Sequence, residues 1–324
     1  MPFLVFLFFL LISCEPSNKK NVTGFAGIAM TVPYRILVGR DLSFLEKRKV
    51  QSLIDQTFDE VNHTYNYWNP NSEVSQLNKL KKFEKKDLSP ELTAFLQTAD
   101  KIVRLTEGRF DPTIYPLQKI WKLKLDKGTL PTEAEIKELL PAVGWDKIHF
   151  SEGIFWKDND STALDLGGIA KGYCVDLIAK KLETAGYQDI YVEWGGEILA
   201  KGRHPENRPW KIFISKLGDP DPENSIAIVE LKDEAIATSG DYLQNWTVKK
   251  ESGYIKYTHI IDPRTGYPLI SNNHSITSTS VVAPSCVLAD CLATALMIPT
   301  QNLDWIENIK KEISGIKYWI VYPD

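Results

Sequence analysis

Apolar positions recur along this chain at two periods, and the switch between them marks its elements. Over 41–65, Leu45, Val50, Leu53, Ile54, Phe58 and Val61 fall near helical spacing, with Asp41 placed to cap the segment. Ser89, Pro90 and Glu91 open a second helix, a capping hydroxyl followed by proline in the first turn; it runs to Leu105 and stops at Gly108. Thr132 and Glu135 fit a capping box for a helix that ends near Leu140. Further helical patterns start near Ile169 and stop at Gly186, cover 283–298 with mostly apolar residues, and cover 303–313 with a polar face. Strand character falls at 28–38, 210–215, 226–231, 257–261, 276–282 and 318–322. The stretches 148–156, bending at Glu152-Gly153, and 190–201, bending at Gly195-Gly196, read as hairpins. Hairpins outnumber βαβ units. The class is therefore α+β, with largely antiparallel sheets and packed helices. No repeat, low-complexity tract or clear linker interrupts 25–324, which reads as one domain.

Polar residues interrupt these patterns at a few places. THIIDPRTGYPL at 258–269 leaves a strand and turns at 262–266, carrying His259, Asp262 and Arg264 around a Pro/Gly turn. Junctions of this kind on a rigid sheet are where reacting groups are usually held. In APSCVLADCLATALMI at 283–298, Asp290 and Thr294 stand at i and i+4, on one face of an apolar helix. Such groups are costly to bury unless something satisfies them, and a hard cation takes such oxygens as ligands. In ALDLGGIAKGYCVD at 163–176, a short strand ends at Asp165, Gly167-Gly168 turn the chain, and a helix follows. Two glycines before a helix let backbone N–H groups approach an anion; the Lys-Ser/Thr ending of a Walker A loop is missing. GRFDPTIYPL at 108–117 places Arg109 and Asp111 in a loop broken by proline, and Thr238 to Asp241 read as a polar turn closing a strand. Trp68 stands at the edge of the Asn69-Pro70-Asn71 turn, where an aromatic either packs or stacks on a ligand.

The first residues belong to a different class. Residues 2–12 are an unbroken apolar run, too short for a stable spanning helix but fit for the apolar segment of a secretory signal. Leu11-Ile12-Ser13-Cys14 resembles the bacterial lipobox, in which the cysteine becomes the lipidated first residue. Residues 1–13 then read as a lipoprotein signal peptide, Cys14 as the lipidation site and 14–24 as a tether. No Lys or Arg precedes the apolar run, and the other reading is an uncleaved N-terminal anchor. The net charge of −4 and the lack of a basic stripe give no general attraction to nucleic acid. Cys174, Cys286 and Cys291 remain; an odd count with no CxxC pair excludes a full disulfide framework and argues against thiolate zinc. They read as small buried residues.

Taken together, these stretches resemble the ApbE family, the FAD:protein FMN transferases. The blocks stand in the family's order: the Ala29-Met30-Thr31 turn, SEVSQLN at 72–78, GRFDPT at 108–113, DLGGIAKGY at 165–173, GGEI at 195–198, ATSGDY at 237–242, HIIDPRTGYP at 259–268 and ADCLATALM at 289–297. The resemblance implies an ApbE-like, T-fold-like architecture and a reaction. FAD and a divalent metal, usually Mg2+, serve to move FMN to a Thr or Ser hydroxyl of a membrane redox protein, and AMP leaves. The implied acceptor is a subunit of a membrane electron-transport complex. The implied place is the periplasmic face of the bacterial inner membrane, held by a lipid anchor.

The resemblance carries residues over one at a time. Asp290 and Thr294 match the metal-binding Asp and Thr, and the third ligand, a backbone carbonyl, falls on Ala170. His259 matches the residue assigned a base role. Met30, Trp68, Arg109, Phe110, Asp111 and Tyr173 fall at positions of the FAD cradle, with Lys171 able to reach a phosphate. Asp262 and Arg264 read as either loop-fixing or flavin-contacting groups. Three places depart from the pattern: the usual Met-Gly-Thr is Ala29-Met30-Thr31, Trp68 replaces a Tyr, and Asn-x-Gly-Gly-Asp becomes Glu193-Trp194-Gly195-Gly196-Glu197. Two other readings stay open, an FAD pyrophosphatase in which water attacks and a non-catalytic FAD-binding lipoprotein; the latter needs neither base nor metal.

Overall fold

The computed structural model describes residues 21–214, 223, 225, 227–241, 244–251 and 253–323. Residues 1–20, with Cys14 and the spans read above as a signal peptide and most of a tether, lie outside the described residues. In chain order the first elements are β1 (Thr23–Ala29), β2 (Val32–Val38), α1 (Phe44–Thr64), α2 (Glu73–Lys79), β3 (Lys86–Asp87), α3 (Pro90–Leu105), α4 (Tyr115–Leu125) and α5 (Glu133–Leu139). Then come β4 (Ile148–Ser151), β5 (Ile154–Lys157), α6 (Ala170–Thr184), β6 (Ile190–Trp194), β7 (Glu197–Lys201), β8 (Trp210–Ile214), β9 (Ala227–Leu231) and β10 (Glu234–Gly240). The last are β11 (Asn245–Lys250), β12 (Gly253–Asp262), β13 (Tyr267–Ser271), β14 (Ser278–Ala283), α7 (Cys286–Met297), α8 (Asp304–Glu312) and β15 (Lys317–Val321).

Seven strands form one sheet in the order β1-β2-β6-β7-β10-β14-β15, with every neighbouring pair antiparallel. The period of two sorts its side chains into two cores. Ile190, Val192, Leu199, Ala235, Ala237, Val281 and Ala283 face the main core, shared with α1, α3, α6 and α7. Tyr191, Ile198, Ala200, Ile236 and Val282 face the other side, covered by the β8–β9 hairpin through Trp210, Ile212, Val229 and Leu231. A smaller sheet, β11-β12-β13, packs with α4 and α5 around Leu117, Trp121, Ile136, Val248 and Tyr257.

At one end of the large sheet the helix-facing positions turn polar. Glu197 opens β7, Ser239 lies near the end of β10 and Thr279 near the start of β14, on the faces of Leu199, Ala237 and Val281. Pairing brings all three to the same end: Ile236 sits opposite Ile198, and Ser239 opposite Thr279. Helix α7 lies over that end, with the Thr279 hydroxyl donating to the Ala293 carbonyl at 2.6 Å.

Several local expectations are corrected. The span 28–38 is a hairpin, not one strand: Met30 and Thr31 take left-handed φ of 48° and 68° and turn the chain. Strand β1 starts at Thr23, within the span 14–24 expected to be a tether. Ser43, not Asp41, caps α1, with a full capping box to Glu46. Residues 238–240 are strand, because Thr238, Ser239 and Gly240 pair with Ser280, Thr279 and Ser278. The short strand before Asp165 is a single bridge between Ile114 and Ala163. The loop expected over 108–117 gives way to α4 at Tyr115, because Pro116 sits in the first turn of that helix, where no N–H is needed.

Candidate active site

Helices α6 and α7 approach most closely at Gly172. A Cβ there would lie 2.5 Å from the Cys286 carbonyl oxygen and 2.9 Å from the Asp290 Cβ. With no side chain in the way, the Gly172 N–H donates to Asp290 Oδ2 at 3.1 Å. Among the described residues Asp290 Oδ1 has no hydrogen bond. Helix α7 gains its start from α6: both Asp176 carboxylate oxygens accept from its first N–H groups, of Cys286 at 2.8 Å and Val287 at 2.9 Å. That capping is non-local, so the sequence order hides it.

Of the residues of α7, Thr294 alone escapes full burial. Its hydroxyl meets that of Ser239 at 3.1 Å. Gly168 lies against it, since a Cβ at Gly168 would stand 3.5 Å from Thr294 Oγ1. The main chain therefore passes from beside Thr294, at Gly168, to beside Asp290, at Gly172. Ala170 is midway on that path and opens α6. Gly167 is exposed, so the turn faces solvent. Asp165 holds it from below by accepting the Gly167 N–H at 2.7 Å. Its buried carboxyl is pushed up to about 6, chiefly by desolvation.

Lys171 points to the polar end of the sheet. Its ammonium makes a very close ion pair with Glu197, and the other Glu197 oxygen is buried with no partner. Burial works against the Lys171 charge, but Glu197 and Asp290 outweigh it and hold its pKa above the ordinary value. Burial likewise raises Asp290 and Glu197, against the pull of Lys171. The Gly195-Gly196 bend, with φ of 68° and 101°, packs on this pair. A Cβ on Gly195 would lie 3.5 Å from Lys171 Cδ and 2.7 Å from Val32. The Met30–Thr31 turn is thereby brought beside Lys171.

His259 comes from the second sheet. Its backbone N–H and its Nδ1 both contact the Gln244 carbonyl, at 3.1 and 3.2 Å. A carbonyl only accepts, so the neutral ring carries its proton on Nδ1 and leaves the Nε2 lone pair free. Burial lowers the pKa of the ring; the Gln244 contact opposes that, Lys171 adds to it and Asp241 opposes it. The ring is thus within electrostatic reach of Lys171. The loop after His259 is held by Asp262, whose two oxygens take Arg264 Nε at 2.9 Å and NH2 at 2.8 Å. Arg264 also reaches the Pro299 carbonyl at 3.2 Å, and Trp121 donates to the Gly266 carbonyl at 2.8 Å. Asp262 and Arg264 fix the loop.

The remaining predicted residues divide. Phe110 underlies the glycine turn, 3.1 Å from where a Gly168 Cβ would be. Trp68 is 70% exposed. It leans on Tyr67 with centroids 5.0 Å apart, and Tyr67 reaches the Gly167 turn. Asp111 is engaged internally, accepting from Thr113 N at 2.8 Å, Thr113 Oγ1 at 2.6 Å and Trp145 N at 2.9 Å. Tyr173 packs edge-on against Tyr65 and Phe95 in the main core. Arg109 pairs with Glu107 and lies over the Trp305 ring. Sequence reasoning missed Glu197, Ser239 and Tyr67. The signal for the first two was a polar residue breaking the period of a strand.

The arrangement gathers the Asp290 carboxylate, the Thr294 hydroxyl, the Gly167–Gly168 turn and the Lys171–Glu197 pair, with the neutral His259 imidazole within electrostatic reach of Lys171. Residues 30–316 match the model of the ApbE family. The chain belongs to the ApbE family. It is an enzyme of the flavin-transferase type. A protein of Chlamydia pneumoniae named FAD:protein FMN transferase is 41% identical over 91% of this chain and 89% of its own length. One of Vibrio cholerae with the same name is 32% identical over 89% and 84%. Among solved structures, the apo flavinyl transferase ApbE of Pseudomonas stutzeri superposes with a TM-score of 0.80 at 25% identity, covering 94% of this chain and 92% of that one. The flavin transferase ApbE of Vibrio cholerae gives 0.78 at 29%, covering 94% of each chain.

Proposed function

We propose that this ApbE-family chain transfers FMN from FAD to a Thr or Ser hydroxyl of a membrane redox protein, releasing AMP with Mg2+ as cofactor. The observation that carries the reading is the convergence of Asp290 and Thr294 on the main chain of 168–172, beside Lys171, with His259 within electrostatic reach of that ammonium. A buried carboxylate with an uncommitted oxygen, an open hydroxyl and a main-chain carbonyl form a donor set that suits a hard cation. Asp290, Thr294 and the Ala170 carbonyl would hold it, leaving positions for phosphate oxygens and water. A bound Mg2+ supplies neutralisation of charge on the pyrophosphate and on the departing AMP oxygens.

The other steps belong to the chain's own groups. The Gly167–Gly168 turn presents backbone to the phosphates, and Lys171 offers a positive charge held in place by Glu197. Trp68 at the rim and Met30 at its hairpin tip give surfaces for the flat rings. His259 Nε2 takes the proton of the acceptor hydroxyl. The oxygen forms a bond to the FMN phosphorus, the pyrophosphate P–O bond breaks, and AMP leaves with that electron pair. A base of this kind contributes about 10²–10⁴-fold. The leader supports a lipid-anchored place on the periplasmic face of the inner membrane, with an electron-transport subunit as acceptor.

The test is incubation with FAD and Mg2+, with and without an acceptor polypeptide, reading AMP and protein-bound flavin together. The reading expects AMP and bound flavin in equal amounts, both dependent on acceptor. AMP formed equally without acceptor makes the chain a hydrolase and overturns it.

A further inference from the structure

The outward face of the first two turns of α1 has a chemistry that neither the core nor the candidate active site uses. Phe44 and Leu45 are 73% and 75% exposed. Lys47, Arg48 and Lys49 follow, all exposed, and among the described residues none of them is in an ion pair. Glu46, the acidic residue of the turn, is taken by the Ser43 capping box and by Arg40 at 2.7 Å. Three cations near the positive end of a helix macrodipole work against the helix. Their placement makes sense with an anion outside the chain. Phe44, Leu45, Arg48 and Lys49 share the side of α1 opposite Val50, Ile54, Phe58 and Val61. Farther along that side come Asp55 and Asp59, so the apolar and basic patch is confined to the N-terminal end.

The start of the described chain is fastened beside this patch. Asn21 donates to the Asp41 carboxylate at 3.2 Å. Thr23 Oγ1 donates to the Arg40 carbonyl at 2.9 Å and accepts from Leu42 N at 3.1 Å. These bonds tie the first residues to the segment that leads directly into Phe44. From residue 14 to residue 21 are seven steps of at most ~3.6 Å, so about 25 Å in all. The apolar run 2–12 lies just upstream. A chain held in a bilayer by its leader therefore carries this end of α1 near the membrane surface.

We propose that this patch docks on anionic phospholipid headgroups, with Phe44 and Leu45 entering the interface and Arg48 and Lys49 against lipid phosphates. The placement rests on the membrane-anchored reading of the leader; the chemistry of the patch does not. Docking would fix one face of the enzyme toward the bilayer, as short polybasic and amphipathic segments do.

The experiment uses the full chain with a fluorophore on Ser52→Cys, an exposed site one to two turns along the same face; Cys174, Cys286 and Cys291 are buried. Phosphatidylcholine vesicles with or without phosphatidylglycerol carry a quencher at headgroup depth. Quenching is expected in the anionic vesicles, several-fold above the neutral ones and reduced by high salt. Arg48→Glu/Lys49→Glu should lower it by roughly 10²-fold in partitioning, and Phe44→Ser/Leu45→Ser should also reduce it. Flavin transfer to a soluble acceptor peptide stays at the wild-type level in both variants, which shows that they fold. An anchored, active protein whose probe is not quenched in anionic vesicles, or is quenched equally in both variants, overturns the proposal while leaving the leader intact. A protein that stays in solution with its leader, yet binds anionic vesicles in a salt- and patch-dependent way, upholds the patch and rejects the leader.

Discussion

His259 shows how much a single contact decides. Its Nδ1 faces the Gln244 carbonyl, so the free Nε2 is the basic nitrogen. Burial lowers the ring's pKa, so the neutral, proton-accepting form persists below the ordinary value of about 6.5. The acid limb of the transfer rate should therefore fall below pH ~6.5. His259→Ala should keep FAD binding, slow transfer by about 10²–10⁴-fold and erase that limb; stopped assays across pH with a fluorescence titration of FAD measure both. Asp165 makes a second prediction, on stability. Its folded pKa is raised to about 6 by burial, which the Gly167 N–H and Tyr67 oppose. The folded state thus binds the proton more tightly than the unfolded state, whose value is about 3.9. By linkage the Asp165 contribution falls as pH rises from about 4 to 6, by on the order of 2 kcal/mol. Asp165→Asn should flatten that part of the stability–pH curve, as read by urea denaturation.

At the scale of elements, the site depends on how near α6 and α7 come. Gly172→Ala would press a methyl against the Cys286 carbonyl at 2.5 Å, and rigid backbone cannot yield as a flexible side chain does. The expected loss is about 1–3 kcal/mol, seen as a lowered Tm, together with reduced transfer because Asp290 moves with α7. Elements with local signals were legible: Ser89-Pro90 and the Thr132–Glu135 capping box gave α3 and α5 their starts. The β1–β2 turn was legible only through the family block at 29–31 and not from local pattern, because Met30 and Thr31 adopt left-handed backbone without the Gly or Asn that usually announces it. Such conformations, held by their surroundings, gather at functional places. β11 was also missed; its pattern of one buried residue, Val248, among exposed ones gives little periodic signal. The capping of α7 by Asp176 links residues 110 positions apart, and no local rule finds it.

For the whole molecule, the candidate residues come from five separate stretches, and only the fold makes them neighbours. The large sheet contributes Glu197 and Ser239 at one end, α6 and α7 bring the glycine turn, Lys171, Asp290 and Thr294 over it, and the smaller sheet supplies His259. Asp290 and Thr294 were readable as an i, i+4 pair, and the glycine turn as a backbone approach. Asp111 and Tyr173 were readable only as matches; their side chains serve the Thr113–Trp145 turn and the aromatic core. Asp290 is the residue on which the cation and the transfer both depend. Mass spectrometry of an acceptor polypeptide after incubation with FAD, Mg2+ and either the wild-type chain or Asp290→Ala tests it directly. One added FMN per acceptor with the wild type and none with Asp290→Ala is the predicted result; equal rates of FMN addition by the two would contradict it.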